Sequence, residues 1–391
     1  MIGLTRFELK KAMGRRLIWV ILAILLVLNG VNIERHHHIF STGPMAQGRY
    51  ELYTELRGEL TDEKLALIQS YYSEAQKILS GGKHDTEYDP ERYFSGFAYG
   101  DANLWNEIKE ECDRIQAYQG KMKSIVNAAS EANQNSSLAL YYRRQNAQIA
   151  TLYAGRSLHE LNRLEGITAL SEYRFSTVLL LLMLILIAGN LYVTERETGM
   201  SELLCSFRSG GSKTAAAKLF AVLLITGFLC TLFFVMDFIL FCFYYRIDGL
   251  SLPVYAVPPM DAAAGFEESP LSCTVWQYLL LSGAMRLLGF WVFASAFAAI
   301  SAAMRLAEPV FFSTVLLTVS LMLCYTFWNT GAGIAVNTCN PLRLLLTDFR
   351  HYEVYNIGEN PVSVPLIAVC AGLLFFTGNS ILCMIAGRRR V

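Results

Sequence analysis

Gly210-Gly211-Ser212-Lys213-Thr214 is the stretch of this chain that comes nearest to a phosphate-binding loop. A Walker loop needs Gly-x4-Gly-Lys-Ser/Thr after a strand, so that backbone amides cradle the phosphates. Here Ser212 rather than Gly precedes Lys213, and no strand is predicted ahead of it, so this chain is not expected to bind ATP. His36-His37-His38 suggests a metal site, but consecutive residues point in different directions. No nearby Cys, Asp or Glu set completes a tetrahedral ligand shell, so the expectation is a solvated triplet at a membrane edge and no metal. The nine cysteines contain no CxxC pair; a disulfide between Cys273 and Cys339 stays open. Neither the HExxH nor the Gly-x-Ser-x-Gly pattern occurs, and no catalytic residue is assigned.

The elements that must position these residues are set by composition. Of the 391 residues, 53% are hydrophobic and only 17% charged, against a globular average near 25%. Lys+Arg and Asp+Glu balance at 33 each, which excludes a basic nucleic-acid binder. The apolar residues fall in long runs rather than on alternating faces, so the predicted fold class is all-α and polytopic, with the lipid bilayer as its solvent. Six runs meet the roughly 17–25 residues that cross a hydrocarbon core as a helix: Leu17–Ile33, Phe175–Val193, Leu219–Tyr245, Tyr278–Ile300, Pro309–Trp328 and Val364–Ala386. KKAMGRR ahead of the first run would suit a signal peptide, but no small-residue cleavage site follows, so the run is read as a signal anchor.

Within the six runs the formal charges are Asp237 and Arg286. An ionisable residue in hydrocarbon costs several kcal/mol unless it is paired or wet. Counted along antiparallel helices at about 1.5 Å per residue, the two come within roughly 5 Å in depth. They are candidates for a charge pair between helices or for the wall of a translocation path.

Lys and Arg in the short connections set orientation. With the N-terminus inside, the inner segments carry thirteen positive charges and the short outer loops three (Arg246, Arg343 and Arg350). Both termini are then expected in the cytoplasm of a multi-pass plasma-membrane protein, with residues 34–174 outside. The domains expected are 1–33 (interfacial helix and first span), 34–174 (an extracellular helical insert) and 175–391 (five spans). In the insert, Leu104, Ile108, Cys112, Ile115, Met122, Ile125 and Ala129 recur at helical spacing. Leu52 to Leu79 predicts an earlier helix, and Ser137 toward Leu164 a third. The insert holds twelve of the 20 tyrosines, which fit internal packing, a contact surface for a partner or ligand, or both. Asn340-Pro341-Leu342-Arg343 predicts a short re-entrant or interfacial helix before the last span.

The most informative segment joins the second and third spans, TERETGMSELLCSFRSGGSKTAAAKLFAVLL from Thr194. It resembles the signature of type-2 ATP-binding-cassette permeases: Glu and Gly at the end of the second span, a Glu-Leu-Leu-like apolar run, a Ser-x-Arg-like turn, and a Lys opening the third. The matching residues are Glu195, Glu197, Gly199, Glu202, Leu203, Leu204, Ser206, Arg208 and Lys218. Where that family often has a proline in the turn, this chain has Phe207 and Gly210-Gly211. The opening LTRFELKKAMGRR, with Phe7, Leu9 and Met13 among bases, is similar to the family's interfacial helix.

The resemblance implies a permease subunit of an exporter whose loop 194–218 docks on a separate ATPase. It further implies two ATPase copies, a second permease subunit as homodimer or heterodimer, and ATP with Mg held by the ATPase rather than by this chain. A different reading is a membrane sensor or scaffold whose extracellular domain binds a ligand or peptide.

Overall fold

The computed structural model describes residues 2–41, 44–81, 98–131, 138–199, 211–259, 264–328, 333–347 and 349–388. Among them the chain is all-α but for two small strand pairs. Six helical stretches are long and apolar enough to cross a membrane: Arg16–His36, Glu165–Glu197, Lys213–Tyr245, Val275–Ala303, Ala307–Phe327 and Val364–Ala386. Each contains or closely overlaps a run expected from the sequence.

Helix α1 (Ile2–Met13) precedes α2 (Arg16–Ser41), the first span. The insert then comprises α3 (Pro44–Leu56), β1 (Gly58–Glu59), α4 (Asp62–Gly81), α5 (Ala98–Glu131), α6 (Ala139–Tyr153) and β2 (Glu160–Leu161). The single helix expected from Leu52 to Leu79 is two helices, because Gly58 takes φ +97° and turns the chain into β1. β1 pairs antiparallel with β2, so the two ends of the insert are joined. The third insert helix ends at Tyr153, short of Leu164, where Ala154 becomes extended. The predicted face of α5 is the buried one: Leu104, Ile108, Cys112, Ile115 and Met122 all lie in the core. Tyr53, Tyr118, Tyr153 and Tyr173 are buried there too.

The second span is three helices in file, α7 (Glu165–Glu172), α8 (Phe175–Gly189) and α9 (Val193–Glu197). The third is α10 (Ser212–Tyr245), the fourth α11 (Val275–Ala303) and the fifth α12 (Ala307–Phe327). Thr274 and Gln277 form a reciprocal capping box that fixes where α11 starts. Short helices α13 (Gly333–Thr338) and α14 (Leu342–Leu346) follow; the Asn340-Pro341 signal predicts one short helix here, which is α14, and α13 is additional. The hairpin β3 (Val354–Ile357) and β4 (Asn360–Ser363) then leads into the last span, α15 (Val364–Arg388).

Two apolar cores hold this together. One is continuous from the insert (Leu52, Ile68, Trp105, Ile115) into the near ends of the spans (Tyr245, Tyr278), so the insert is seated on the bundle. The other fills the far half around Met183, Leu184, Val222, Phe233, Phe293 and Phe297. Burial is uneven. The apolar window of the second span is 72% buried, whereas those of the fifth and sixth are 11% and 17%. The second span is therefore the axis of the bundle, and α12 and α15 present their side chains outward.

Cys273 and Cys339 are both free thiols, so the disulfide left open by the sequence is absent. His36 accepts or donates a hydrogen bond at 3.0 Å with the Tyr245 hydroxyl and is half-buried, which differs from the fully solvated residue expected.

Candidate functional site

The end of the bundle that carries α1 gathers the charged residues of the second and third spans into one network. The Glu195 carboxylate, on α9, accepts from the Lys11 ammonium of α1 through one oxygen and from the Lys218 ammonium of α10 through the other. Glu195 is 5% exposed and Lys218 2%, so this is a desolvated pair that needs its partners on both sides. The Lys218 ammonium also lies 4.7 Å from the centre of the Tyr192 ring, within cation–π range. Glu8 of α1 is buried beside them, and that burial pushes its carboxyl above the ordinary carboxylate value.

Helix α1 consequently turns its polar residues Thr5 and Glu8 inward and leaves Phe7 60% exposed. The interfacial role expected of Phe7 fits that exposure. Leu9 and Met13 instead pack on the far core.

Two adjacent residues of α9 extend the network to the turn between the fourth and fifth spans. The Arg196 guanidinium donates to the Ser301, Ala302 and Met304 carbonyls at the C-terminal end of α11. The Glu197 carboxylate accepts from the Ala307 amide that opens α12, at 3.2 Å. A cation therefore sits on a helix C-terminus and an anion on a helix N-terminus, each matched to the unsatisfied backbone groups and the dipole there. Ser301 completes the joint. Its hydroxyl donates to the Gly189 carbonyl at 2.6 Å and accepts from the Tyr192 amide at 3.2 Å, across the break between α8 and α9. Gly199 takes φ +71° just beyond α9.

Of the loop residues singled out in the sequence, Glu195 and Lys218 meet directly, Glu197 caps α12, and Gly199 ends the described segment. Glu202, Leu203, Leu204, Ser206 and Arg208 lie outside the described residues. Lys11, Glu8, Tyr192 and Arg196 join this site without any motif in the sequence that marks them. Lys11 and Glu8 lie almost two hundred positions from their partners, and local spacing carries no signal of such contacts.

Asp237 and Arg286 line one narrow crevice with Ser176 and Cys230. They do not form the direct contact that the depth estimate suggested: no nitrogen–oxygen distance between them falls within 4.0 Å. Asp237 has a nearer partner in Asn29 of the first span, whose Nδ2 donates to Oδ1 at 2.6 Å. The Asn29 side-chain oxygen in turn accepts from the Tyr173 hydroxyl at 2.8 Å. This polar chain links α2, the α7–α8 junction and α10 inside an apolar bundle, with Arg286 across the crevice supplying charge without contact.

No protein-family model matches the chain, and neither a curated protein nor a solved structure is similar to it. The fold and the six apolar helices define an all-α polytopic membrane protein.

Proposed function

We propose that this chain is the transmembrane subunit of an ATP-binding-cassette exporter of the type-2 permease class. In this reading both termini and the 194–218 loop are cytoplasmic, and residues 34–174 are extracellular. ATP and Mg are bound by two copies of a separate ATPase, and a second permease subunit completes the complex. The observation that supports it best is the Lys11–Glu195–Lys218 network together with the caps made by Arg196 and Glu197. These residues flank the segment 200–210 in sequence, and they tie those flanks to α1 and to the ends of the second to fifth spans. A force applied to that segment by an ATPase would be passed to several spans at once, as a coupling element requires. The chain's own work in such a cycle is mechanical, and none of its residues acts on ATP.

The test is purification of the full-length protein from its native membrane in mild detergent, with co-eluting proteins identified and ATP hydrolysis measured. Recovery of an ATP-hydrolysing subunit that is lost in the double variant Glu202→Arg/Leu204→Arg is the expected result. Recovery of other membrane complexes intact, with no ATPase on this one, would overturn the reading. The insert would then be examined as a ligand-binding sensor domain.

A further inference from the structure

At the insert end of the bundle a crevice of about 200 Å³ opens between the fifth and sixth spans. Its walls carry Tyr325 near the end of α12, Arg343 and Thr347 around α14, and Arg350, His351 and Glu353 before β3. This volume is below the roughly 300–1,000 Å³ of sites for drug-sized ligands, so it suits a small polar group. The lining is rich in donors: two guanidiniums, a phenol, a hydroxyl and an imidazole. Arg350 is held from behind by the Glu172 carboxylate and the Ser171 hydroxyl, at 2.5 and 2.7 Å. Arg174 braces the same corner through the Leu346 carbonyl at 3.3 Å.

Arg343 differs from these. One of its terminal nitrogens donates to Glu353, and among the described residues no partner takes the rest of its guanidinium fork. Among the described residues, the charges around the crevice are Arg174, Arg343 and Arg350 against Glu172 and Glu353, with Glu268 beyond His351 at 3.6 Å. A guanidinium with spare planar donors, as in Arg343, beside a fixed cation matches an oxyanion that can be bound by two nitrogens at once.

The position narrows the anion. The crevice lies at one end of α12 and α15, the two spans whose apolar windows are least covered by protein. A lipid packed along those helices carries its headgroup to that height, where arginines commonly sit. We propose that this crevice is a binding site for a phosphate ester, of the kind a phospholipid headgroup carries, with Arg343 as its principal ligand and Arg350 as the fixed cation behind it. Glu353 occupies part of Arg343 when the site is empty and competes with the ester. The proposal does not depend on the transport reading.

The test uses the full chain in non-ionic detergent, with lipid retention counted by native mass spectrometry. Dioleoylphosphatidylglycerol is the probe, dioleoylglycerol is the lipid without phosphate, and glycerol 1-phosphate is the soluble competitor. Arg343→Gln should weaken phosphatidylglycerol retention about ten-fold, while Glu353→Gln should strengthen it several-fold. A gain of affinity cannot come from misfolding. Arg57→Gln, at an exposed arginine of the insert, should change nothing. Displacement by millimolar glycerol 1-phosphate would identify a soluble ester as a competent occupant; retention against it would identify the lipid. Equal retention of dioleoylglycerol, or wild-type retention in both Arg343→Gln and Glu353→Gln, would overturn the site.

Discussion

Asn29 and Asp237, 208 positions apart, share a hydrogen bond of 2.6 Å in the apolar interior of the bundle. Both are buried, at 0% and 3% exposure, so the bond is protected from water. The amide spends its other end on Tyr173, and every removal of a member leaves a buried polar group unmatched.

Asp237→Asn keeps an oxygen that can accept from Asn29 and should cost less than about 1 kcal/mol in thermal unfolding in detergent. Asp237→Leu removes the acceptor and should cost about 1–3 kcal/mol. Equal losses in the two variants would mean that the negative charge opposite Arg286, and not the hydrogen bond, is what the bundle requires. If the Asn variant folds normally and transport is lost, Asp237 belongs to the translocation path.

Glu195→Gln should cost more, about 3 kcal/mol or above, because it leaves Lys218 buried beside a neutral amide. Adding Lys218→Met to that variant should recover most of the loss, since an apolar residue has no charge to desolvate. Additive losses in the double-mutant cycle would mean that the two residues act independently.

How much of this was legible in sequence depended on the range of the signal. The spans were readable because hydrophobic length is a local property: the last one, expected at Val364–Ala386, is the helix Val364–Arg388. α14 was readable from Asn340-Pro341 for the same reason. The hairpin before α15 is harder to read, because its turn carries a glycine at Gly358 (φ +57°) but places Glu359 at a left-handed φ of +65° where glycine or asparagine is usual. Asp237 stands out by its charge in hydrocarbon, but its partner does not. Asn29 is uncharged and sits in an apolar run whose hydropathy it hardly alters. Arg286 is the visible counter-charge, and Asn29 is the nearer partner.

Gly289 of α11 lies where α14 docks. A methyl group added there would come 2.6 Å from the Leu345 side chain and 3.1 Å from the Leu344 Cβ. Leu344 and Leu345 are both buried, so the neighbour cannot swing free. Gly289→Ala should lower stability by about 1–3 kcal/mol through overpacking. An unchanged melting temperature would show that α14 can slide along the bundle.

Glu267, in the loop between the third and fourth spans, fastens that loop to the insert. Burial alone would raise its pKa, but hydrogen bonds and charge from Lys121 and Arg114 outweigh this and hold it below the ordinary value of 4.5. Arg114 donates at 3.0 Å and Lys121 at 2.6 Å, and the neighbouring Ser269 carbonyl accepts from Arg156 at 2.7 Å. A carboxylate with a depressed folded pKa contributes its full stability above its unfolded pKa and loses it as pH falls through the folded value. The protection factors of residues 264–271, each taken against the intrinsic rate at the same pH, should therefore stay high at neutral pH and fall below about pH 4.5. Glu267→Gln should exchange faster at pH 7 and show a flatter pH dependence. A wild-type profile in that variant would assign the clamp to Arg156 and to Tyr118 and Tyr153, whose hydroxyls donate to the Glu267 and Glu268 carbonyls at 3.2 and 2.7 Å.

The lock on Glu195 has a consequence for the order of synthesis. Lys11 emerges early, but the carboxylate that holds it and the Lys218 that shares it come far later in the chain. At about 5–20 residues per second, roughly ten to forty seconds separate the two lysines on the ribosome. During that interval the one carboxylate near Lys11 within α1 is Glu8, and the helix otherwise depends on the membrane surface. Helix α1 is thus made well before the partners that secure it, and its docking reports that the third span has arrived.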